Sequence, residues 1–338
     1  MKVAVIGAGA VGGAFAAALC RSGHEVTVTA RGEHLTAIEH NGLMLEGEFG
    51  DFLARVKAVE SLNQLSEDEA AFDLILLCTK AQDAKAAITQ NFSVLETADI
   101  LVVQNGLNGI TLAEELLPTA SIAGGLAGLA TSLIAPGIIR VTSLSTTYIG
   151  NDEDPEFAKE LVQILDSSIP VEFIDHYTGA LWTKLIVNCL NAFPAFSNLS
   201  MQELADTPLL KWVALSMQEA VRVALSHRVH FAPLMGIDHQ TLRTFVESEL
   251  PEAEKLPKTL IARFGDVPNF GSTLQSIRRN RQSEISELNG EIVSRAGAIA
   301  TPVNQAIIQL VHRAERGEFS SVAEALKLFE LSSKGSTH

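Results

Sequence analysis

A glycine-rich turn at the start of the chain constrains the fold more than any other feature. The sequence VAVIGAGAVGG begins as an apolar, β-branched run and continues into an alanine-rich segment that favours a helix. Its glycines have the spacing G-x-G-x-x-G, which between a strand and a helix allows a tight turn, a close ligand approach and close helix packing. The pattern predicts a βαβ unit in which the backbone binds the pyrophosphate of a dinucleotide, through Gly7, Ala8, Gly9, Ala10, Val11 and Gly12.

The first half of the chain alternates between strand and helix patterns. Four apolar runs predict strands: KVAVIG (2–7), EVTVTAR (25–31), DLILLCTKA (73–81) and DILVVQNG (99–106). Helix-forming segments lie between them, which is typical of a parallel sheet covered on both faces. The segments GIIRVTS and TTYIGN predict two late strands that extend this sheet as a hairpin.

After about Asp175 the sequence changes to long helical patterns, over 176–197, 207–229, 238–249 and 271 to the end. The predicted fold is therefore α/β. A Rossmann-type, doubly wound parallel sheet occupies residues 1–174, and an all-helical domain occupies residues 175–338. The polar end SSKGSTH is expected to fray.

The residues that end the predicted strands indicate which dinucleotide binds. NAD sites carry an acidic residue at the end of the second strand, where it holds the ribose 2′-hydroxyl. Here Arg31 stands at that position, so NADP is expected, although a surface arginine would give the same sequence. Lys80 and Asn105 end two further strands and are predicted cofactor contacts, Asn105 also a substrate contact. The alternative for each is an ordinary turn residue.

The segment ALWTKLIVNCLNAF, residues 180–193, carries an unusual polar stripe. Lys184, Asn188 and Asn191 fall on one side of a helix whose other sides are apolar. A narrow solvent-exposed stripe is one explanation, but such stripes usually mix Glu, Lys, Gln and Arg. One lysine followed by two asparagines instead predicts a pocket with a proton donor and neutral amides.

A second polar set lies near the end of the chain, in NFGSTLQSIRRNRQSEISELNGEIV. Glu284 has Ile285, Leu288 and Ile292 around it at helical spacing, so we expect it at the border of a buried helix face. A partly buried carboxylate needs a partner, and Lys184 is the best candidate. The alternative is a surface acid among three arginines.

These motifs together resemble the 2-dehydropantoate 2-reductase (ketopantoate reductase) family, over nearly the whole chain. The residues that carry the resemblance are Gly7-Ala8-Gly9-Ala10-Val11-Gly12-Gly13, Thr79-Lys80, Gln104-Asn105-Gly106, Lys184-Leu185-x-x-Asn188, and Ser272-x-Leu274-Gln275 followed by Glu284-Ile285 and Leu288-Asn289-Gly290. The glycine loop is common to many dehydrogenases, whereas the Lys–Asn helix with the Ser…Glu segment is far more specific.

The resemblance implies a two-domain enzyme that reduces 2-dehydropantoate to (R)-pantoate with NADPH, in pantothenate and coenzyme A biosynthesis. By this resemblance Lys184 is the proton donor and Glu284 is the acid of the site. Asn105, Asn188 and Ser272 match cofactor or substrate contacts, and Asn269 matches a position that is often polar.

Two departures from the family pattern lie on the expected substrate side. The family usually spaces its two helix asparagines four residues apart, but Asn188 and Asn191 are only three apart, so either Asn191 serves or the contact is lost. Gln275-Ser276 stands where relatives often have Gln-Asp. The alternatives are a paralogous reductase of another 2-oxo acid, for example one with a bulkier or aromatic side chain, a sugar-acid or amino-acid dehydrogenase, and a non-catalytic NADP-binding sensor.

Composition limits the partners. The 338 residues carry a net charge of −15, which argues against nucleic-acid or anionic-membrane binding, and local positive groups must overcome this field if the ligand is an anion. The resemblance implies a small-molecule 2-oxo acid as the partner. The three cysteines have no metal-binding spacing, so no metal site is predicted. No targeting signal or membrane segment is predicted, which indicates a cytoplasmic protein. A homodimer is left open.

Overall fold

The computed structural model describes residues 1–335. The chain divides between Tyr177 and Thr178 into two compact units. The first unit, from Met1, is the α/β part and the second is helical. In the described part of the chain, no helix combines the length and the apolarity that a membrane crossing requires.

The strands of the first unit form two sheets. They are β1 (Lys2–Ile6), β2 (Glu25–Thr29), β3 (Leu43–Gly47), β4 (Phe52–Ala54), β5 (Lys57–Val59), β6 (Leu74–Leu77), β7 (Asp99–Val102), β8 (Ser121–Leu126), β9 (Leu129–Ala135), β10 (Ile138–Leu144), β11 (Thr147–Gly150) and β12 (Val171–Phe173). The main sheet has eight strands in the order β12-β11-β8-β7-β6-β1-β2-β5. It is parallel from β5 to β8, and β11 pairs antiparallel to β8. The predicted doubly wound sheet is confirmed.

Helices cover both faces of the main sheet. They are α1 (Ala10–Arg21), α2 (Gly32–Asn41), α3 (Glu67–Ala70), α4 (Ala81–Gln90), α5 (Phe92–Leu95), α6 (Gly109–Leu116) and α7 (Pro155–Leu165), with a 3-10 turn at Leu62–Gln64. Because successive residues of a strand point to opposite faces, Val3 of β1 packs in the core that contains Phe15, while Ala4 packs in the core that contains Ile88. This two-sided burial explains why the strand is apolar at every position from Val3 to Ile6.

The second sheet has the order β4-β3-β10-β9. The predicted hairpin is therefore wrong for residues 138–144, since β10 pairs with β9 and β3, while β11 does extend the main sheet. The alternation in β10 is that of a strand with one covered face, because Ile139 and Val141 are buried and Arg140 is exposed. Helix α1 covers that face, and a side chain at Gly13 would overlap Ile139.

The second unit is built from helices. They are α8 (Tyr177–Asn188), a 3-10 turn at Cys189–Asn191, α9 (Ala192–Ser197), α10 (Met201–Ala205), α11 (Leu209–Ser226), α12 (His239–Glu247), α13 (Lys255–Ala262), α14 (Gly271–Arg278), α15 (Asn289–Ser294), α16 (Pro302–Glu315) and α17 (Val322–Gly335). Its core contains an aromatic cluster in which Trp212 stacks on Phe329 with 5.0 Å between ring centroids. The predicted fraying is wrong up to Gly335, which ends α17, and residues 336–338 lie outside the described residues.

Candidate active site

The glycine loop connects β1 to α1 and is held by the end of β2. Gly7 has a φ of +93°, which glycine adopts without strain. Its N–H donates to Thr29 Oγ1 at 2.9 Å, and the N–H of Ala8 donates to the Thr29 carbonyl at 2.9 Å. Gly9 is the N-cap of α1, and no side chain caps this helix end. The N–H groups of its first turn are therefore the kind of anion-binding donor set that a pyrophosphate requires.

The loop glycines differ in what a side chain would contact. A Cβ at Gly12 would lie 2.2 Å from the Gly7 carbonyl oxygen and 2.7 Å from Cys78 Cβ, so this glycine is required by helix packing. A Cβ at Gly9 would meet nothing within 4 Å. The space beside Gly9 is open, so a ligand can approach the backbone there. The residues present therefore fit the pyrophosphate of a dinucleotide, with Gly9 at the point of closest approach.

The other predicted cofactor residues follow strands that neighbour β1, at the same edge of the sheet. Arg31 follows β2, Lys80 follows β6 and Asn105 follows β7. Lys80 is half-buried and is the N-cap of α4. Its place at the start of α4 puts it at the sheet edge where doubly wound folds bind their ligands.

Arg31 is exposed, and its Nη2 donates to Gln90 Oε1 at 2.9 Å. Gln90 is the last residue of α4 and Lys80 precedes the first, about 15 Å along the helix at 1.5 Å per residue. Arg31 therefore follows the strand that pairs with β1, and it lies at the opposite end of α4 from Lys80. Gln104, next to Asn105, donates to the carbonyl and hydroxyl of Thr79 at 3.0 and 3.1 Å, which ties the loops after β7 and β6 together.

Lys184 lies in the middle of α8, among buried neighbours such as Trp182 and Leu185. The lysine itself is half-buried rather than part of an exposed stripe. Burial lowers the pKa of Lys184 to about 8, and the negative charge of Glu284 acts in the opposite direction. A lysine with this pKa is mainly protonated at neutral pH and readily gives up its proton. Perturbation by burial and a specific charge partner is typical of catalytic residues.

The two asparagines meet through a change of helix type. Helix α8 ends at Asn188, and the 3-10 turn Cys189–Asn191 follows. A 3-10 helix has three residues per turn, so residues three apart lie on the same side. Asn191 Nδ2 accordingly donates to Asn188 Oδ1 at 3.3 Å. The short spacing therefore keeps both amides in one place.

The start of α14 lies against Asn191. Gly271 has a φ of +65°, and a Cβ there would be 2.7 Å from Asn191 Oδ1. The predicted residue Asn269 accepts the Gly271 N–H through Oδ1 at 2.9 Å, so its side chain orders this turn. Ser272, the second residue of α14, is exposed. The structure thus brings Asn188, Asn191 and the 269–272 turn together.

Glu284 does not lie on a helix, and the predicted helical arrangement around it is wrong. Residues 279–288 form turns and bends between α14 and α15. Ile285, Leu288 and Ile292 are buried as expected. Their spacing in the sequence resembles that of a helix, but the segment that contains Glu284 is irregular.

Helix α16 anchors this segment at both ends. The Glu315 carboxylate accepts the N–H and hydroxyl of Ser283 at 2.9 and 2.7 Å, and Asn289 Nδ2 donates to Asn304 Oδ1 at 2.8 Å. Burial would raise the pKa of Glu315, but hydrogen bonds from His312 and Ser283 outweigh it and lower the pKa. Glu284 is therefore presented by a fixed segment near enough to Lys184 to affect its charge.

Comparison with known proteins identifies the family. Residues 3–154 match the family model described as ketopantoate reductase PanE/ApbA, and residues 176–315 match its C-terminal counterpart. The PanE/ApbA family ketopantoate reductase from Ralstonia eutropha JMP134 is 31% identical, with a TM-score of 0.79 over 94% of this chain and 99% of that one. This chain belongs to the ketopantoate reductase family.

Two further proteins are similar to this chain. The 2-dehydropantoate 2-reductase of Pyrococcus abyssi is 27% identical, over 88% of this chain and 92% of the relative. A D-mandelate dehydrogenase, solved in complex with NADH, is 25% identical with a TM-score of 0.78, over 94% of this chain and 99% of the other. The predicted family is thus confirmed, and the protein is an oxidoreductase of the ketopantoate reductase type that uses a pyridine nucleotide and a small keto acid.

Several residues of this ketopantoate reductase family member were not predicted from the sequence as parts of the site. Thr29 holds the glycine loop, and the sequence signal was a hydroxyl at the end of an apolar strand. Ser283 and Asn289 hold the Glu284 segment, and no local pattern indicates this because their partners lie on α16.

Proposed function

We propose that the protein is a 2-dehydropantoate 2-reductase, which reduces 2-dehydropantoate to (R)-pantoate with NADPH in pantothenate and coenzyme A biosynthesis. The observation that carries the proposal is the state of Lys184, which is half-buried. Burial lowers the pKa of Lys184 to about 8, and the negative charge of Glu284 favours its protonated form. Two amides, Asn188 and Asn191, lie one and two turns further along the same chain segment.

When bound, a reduced nicotinamide would supply the hydride that C2 of the 2-oxo acid accepts. Negative charge then develops on the carbonyl oxygen, and Lys184 donates a proton to it. The product is the alcohol, and Lys184 recovers a proton from solvent. Glu284 keeps Lys184 charged or holds a substrate hydroxyl, while Asn188, Asn191, Asn269 and Ser272 bind the polar groups of the substrate. Asn105 is a proposed contact to the cofactor or the substrate.

Arg31 supports NADPH as the proposed cofactor. It stands where NAD-specific sites have an acid, is exposed, and needs only to exchange its bond to Gln90 for a 2′-phosphate. The proposed enzyme has a reducing, cytoplasmic setting, in keeping with its three free thiols, Cys20, Cys78 and Cys189.

A second candidate is the reduction of another 2-oxo acid, with a bulkier or aromatic side chain. Two observations favour it: the likeness to a D-mandelate dehydrogenase, and the three-residue spacing of Asn188 and Asn191 on the expected substrate side. A non-catalytic NADP sensor is the least favoured, because a sensor does not require the Lys184–Glu284 pair.

A panel of 2-oxo acids, assayed with NADPH and with NADH, tests the proposal. We expect the highest kcat/KM with 2-dehydropantoate and NADPH. A higher value with phenylglyoxylate or another bulky 2-oxo acid would favour the paralogous reductase, and no turnover with any 2-oxo acid would favour the sensor.

Cofactor choice has its own test. Arg31→Ala should raise the KM for NADPH and leave the KM for NADH nearly unchanged. The matched control is Arg55→Ala, another exposed arginine of the first unit, which should change neither value. A parent enzyme that uses NADH as well as NADPH would contradict the assignment of NADP.

A further inference from the structure

One imidazole joins the glycine loop to the second sheet. His34, on α2, has its Nε2 2.6 Å from the Ala8 carbonyl oxygen and its Nδ1 2.9 Å from the Gly137 backbone nitrogen. A backbone N–H can only donate, so Nδ1 accepts and carries no hydrogen. The ring hydrogen is therefore on Nε2, which donates to Ala8. Both contacts together select the neutral ring in a single tautomer.

The Ala8 carbonyl belongs to the peptide unit that also contains the Gly9 N–H. In a planar trans peptide, the C=O and the following N–H point in opposite directions, so fixing one fixes the other. The Ala8 N–H is already bonded to the Thr29 carbonyl at 2.9 Å. Thr29 therefore holds the N–H groups of Gly7 and Ala8, and His34 holds the Ala8 carbonyl, which Thr29 does not contact.

Gly137 determines the position of the His34 ring. It forms the turn between β9 and β10 with a φ of +77°, and a Cβ there would lie 3.3 Å from Ala37 Cβ of α2. The turn is therefore packed on the helix that carries His34. The second sheet, which adds no strand to the main sheet, provides the donor that holds this ring.

We propose that His34 is a positioning residue for the pyridine nucleotide: it orients the 8–9 peptide so that the Gly9 N–H is preorganised for the pyrophosphate. The inference rests on the cofactor binding of the proposed function. Preorganised donors bind more tightly because the cost of ordering them is met before the ligand arrives. His34 does not touch the reacting atoms, so it should affect nucleotide affinity and not the chemical step.

Two substitutions at position 34 separate hydrogen bonding from packing. His34→Gln keeps an acceptor and a donor at a similar separation, whereas His34→Leu fills similar space and keeps neither. His40→Leu is the matched control, because His40 lies on the same helix, is exposed, and forms a hydrogen bond with the Thr36 carbonyl of its own helix through Nδ1.

The measurements are the Kd for NADPH by calorimetry, kcat at saturating NADPH, and amide hydrogen exchange of residues 8–13 without cofactor. We expect His34→Leu to raise the Kd about tenfold, the loss of one hydrogen bond of about 1.4 kcal/mol. Its kcat should stay within about twofold, and its loop amides should exchange faster. His34→Gln and His40→Leu should resemble the parent.

A parent that binds NADPH while His34→Leu binds it equally well would overturn the role of His34 and leave the proposed function intact. The same conclusion would follow if His34→Gln lost as much affinity as His34→Leu, or if His34→Leu lowered kcat with an unchanged Kd. A parent that binds neither NADPH nor NADH would overturn the proposed function, and the role of His34 with it.

Discussion

At the scale of single residues, two glycines of the loop are expected to serve different purposes: Gly9 allows a ligand to approach, and Gly12 allows the helix to pack. Gly9→Ala should raise the Kd for NADPH at least about tenfold, because the new methyl group occupies open space through which a pyrophosphate would approach the backbone, while the melting temperature changes little. Gly12→Ala should instead destabilise the protein, since its Cβ would overlap the Gly7 carbonyl. Calorimetry and thermal unfolding of both variants measure this contrast. Equal loss of stability in the two would show that Gly9 also serves packing.

The pKa of Lys184 sets a pH limit on the proposed reaction. A general acid must be protonated in the free enzyme, so kcat/KM should fall as the pH rises through about 8. The limit on kcat should lie at higher pH, because the carboxylate of the bound substrate adds a second negative charge beside the ammonium group. A kcat/KM that stays constant to pH 10 would rule out Lys184 as the acid.

Replacing Lys184 should separate activity from stability. Lys184→Met should lower kcat by about 10²–10⁴-fold and leave the Kd for NADPH within about twofold. The folded-state pKa lies below the unfolded value, so the buried charge costs stability below about pH 8, and this cost declines as the pH rises toward 10.5. The variant should therefore melt no lower than the parent at pH 7. Turnover within a few-fold of the parent would rule out Lys184 as the proton donor.

At the scale of elements, the segment 283–289 is expected to matter because it presents Glu284. Ser283→Ala removes a buried hydroxyl that bonds to Glu315, and should cost about 1–3 kcal/mol of unfolding free energy. If the segment positions Glu284, kcat should fall several-fold in protein that is fully folded, with an unchanged Kd for NADPH.

The matched control for this segment is Ser286→Ala, three residues further on and exposed. It should change neither stability nor kcat. Loss of stability in Ser283→Ala without any loss of kcat would show that the Glu315 contact serves the fold alone.

Elements also show how far the sequence could predict the structure. Residues at the carboxyl ends of parallel strands, such as Lys80 and Asn105, were predictable because neighbouring strands bring them to one edge. The membership of β10 in a second sheet was not predictable. Alternation of apolar and polar residues indicates that one face of a strand is covered, but it does not indicate which element covers that face. The 3-10 turn after Asn188 and the irregular segment at Glu284 depend on packing between distant helices, and their local sequences resemble helices. The role of His34 depends on Gly137, 103 residues away.

At the scale of the whole molecule, charge should influence how fast the ligands bind. A net charge of −15 would repel an anionic cofactor and substrate at long range, whereas Arg31 and Lys184, as proposed contacts, would attract them at short range. The Debye length falls from about 30 Å at 0.01 M salt to about 8 Å at 0.15 M, so the long-range repulsion is screened first. The association rate constant for NADPH, measured by stopped-flow fluorescence, should therefore rise over this range. A steady fall would mean that the local cations govern the encounter.

The second sheet limits how small a working nucleotide-binding module can be made from this chain. Gly13 on α1 lacks a side chain because Ile139 of β10 occupies that space, and Gly137 at the same hairpin holds the ring of His34. Removing β3, β4, β9 and β10 to leave a plain Rossmann core would expose the face of α1 that carries Gly13. It would also remove the contact that holds His34 against the glycine loop. Anyone grafting this cofactor specificity onto another scaffold therefore has to transplant the hairpin together with the glycine motif, although the two lie more than a hundred residues apart in the sequence.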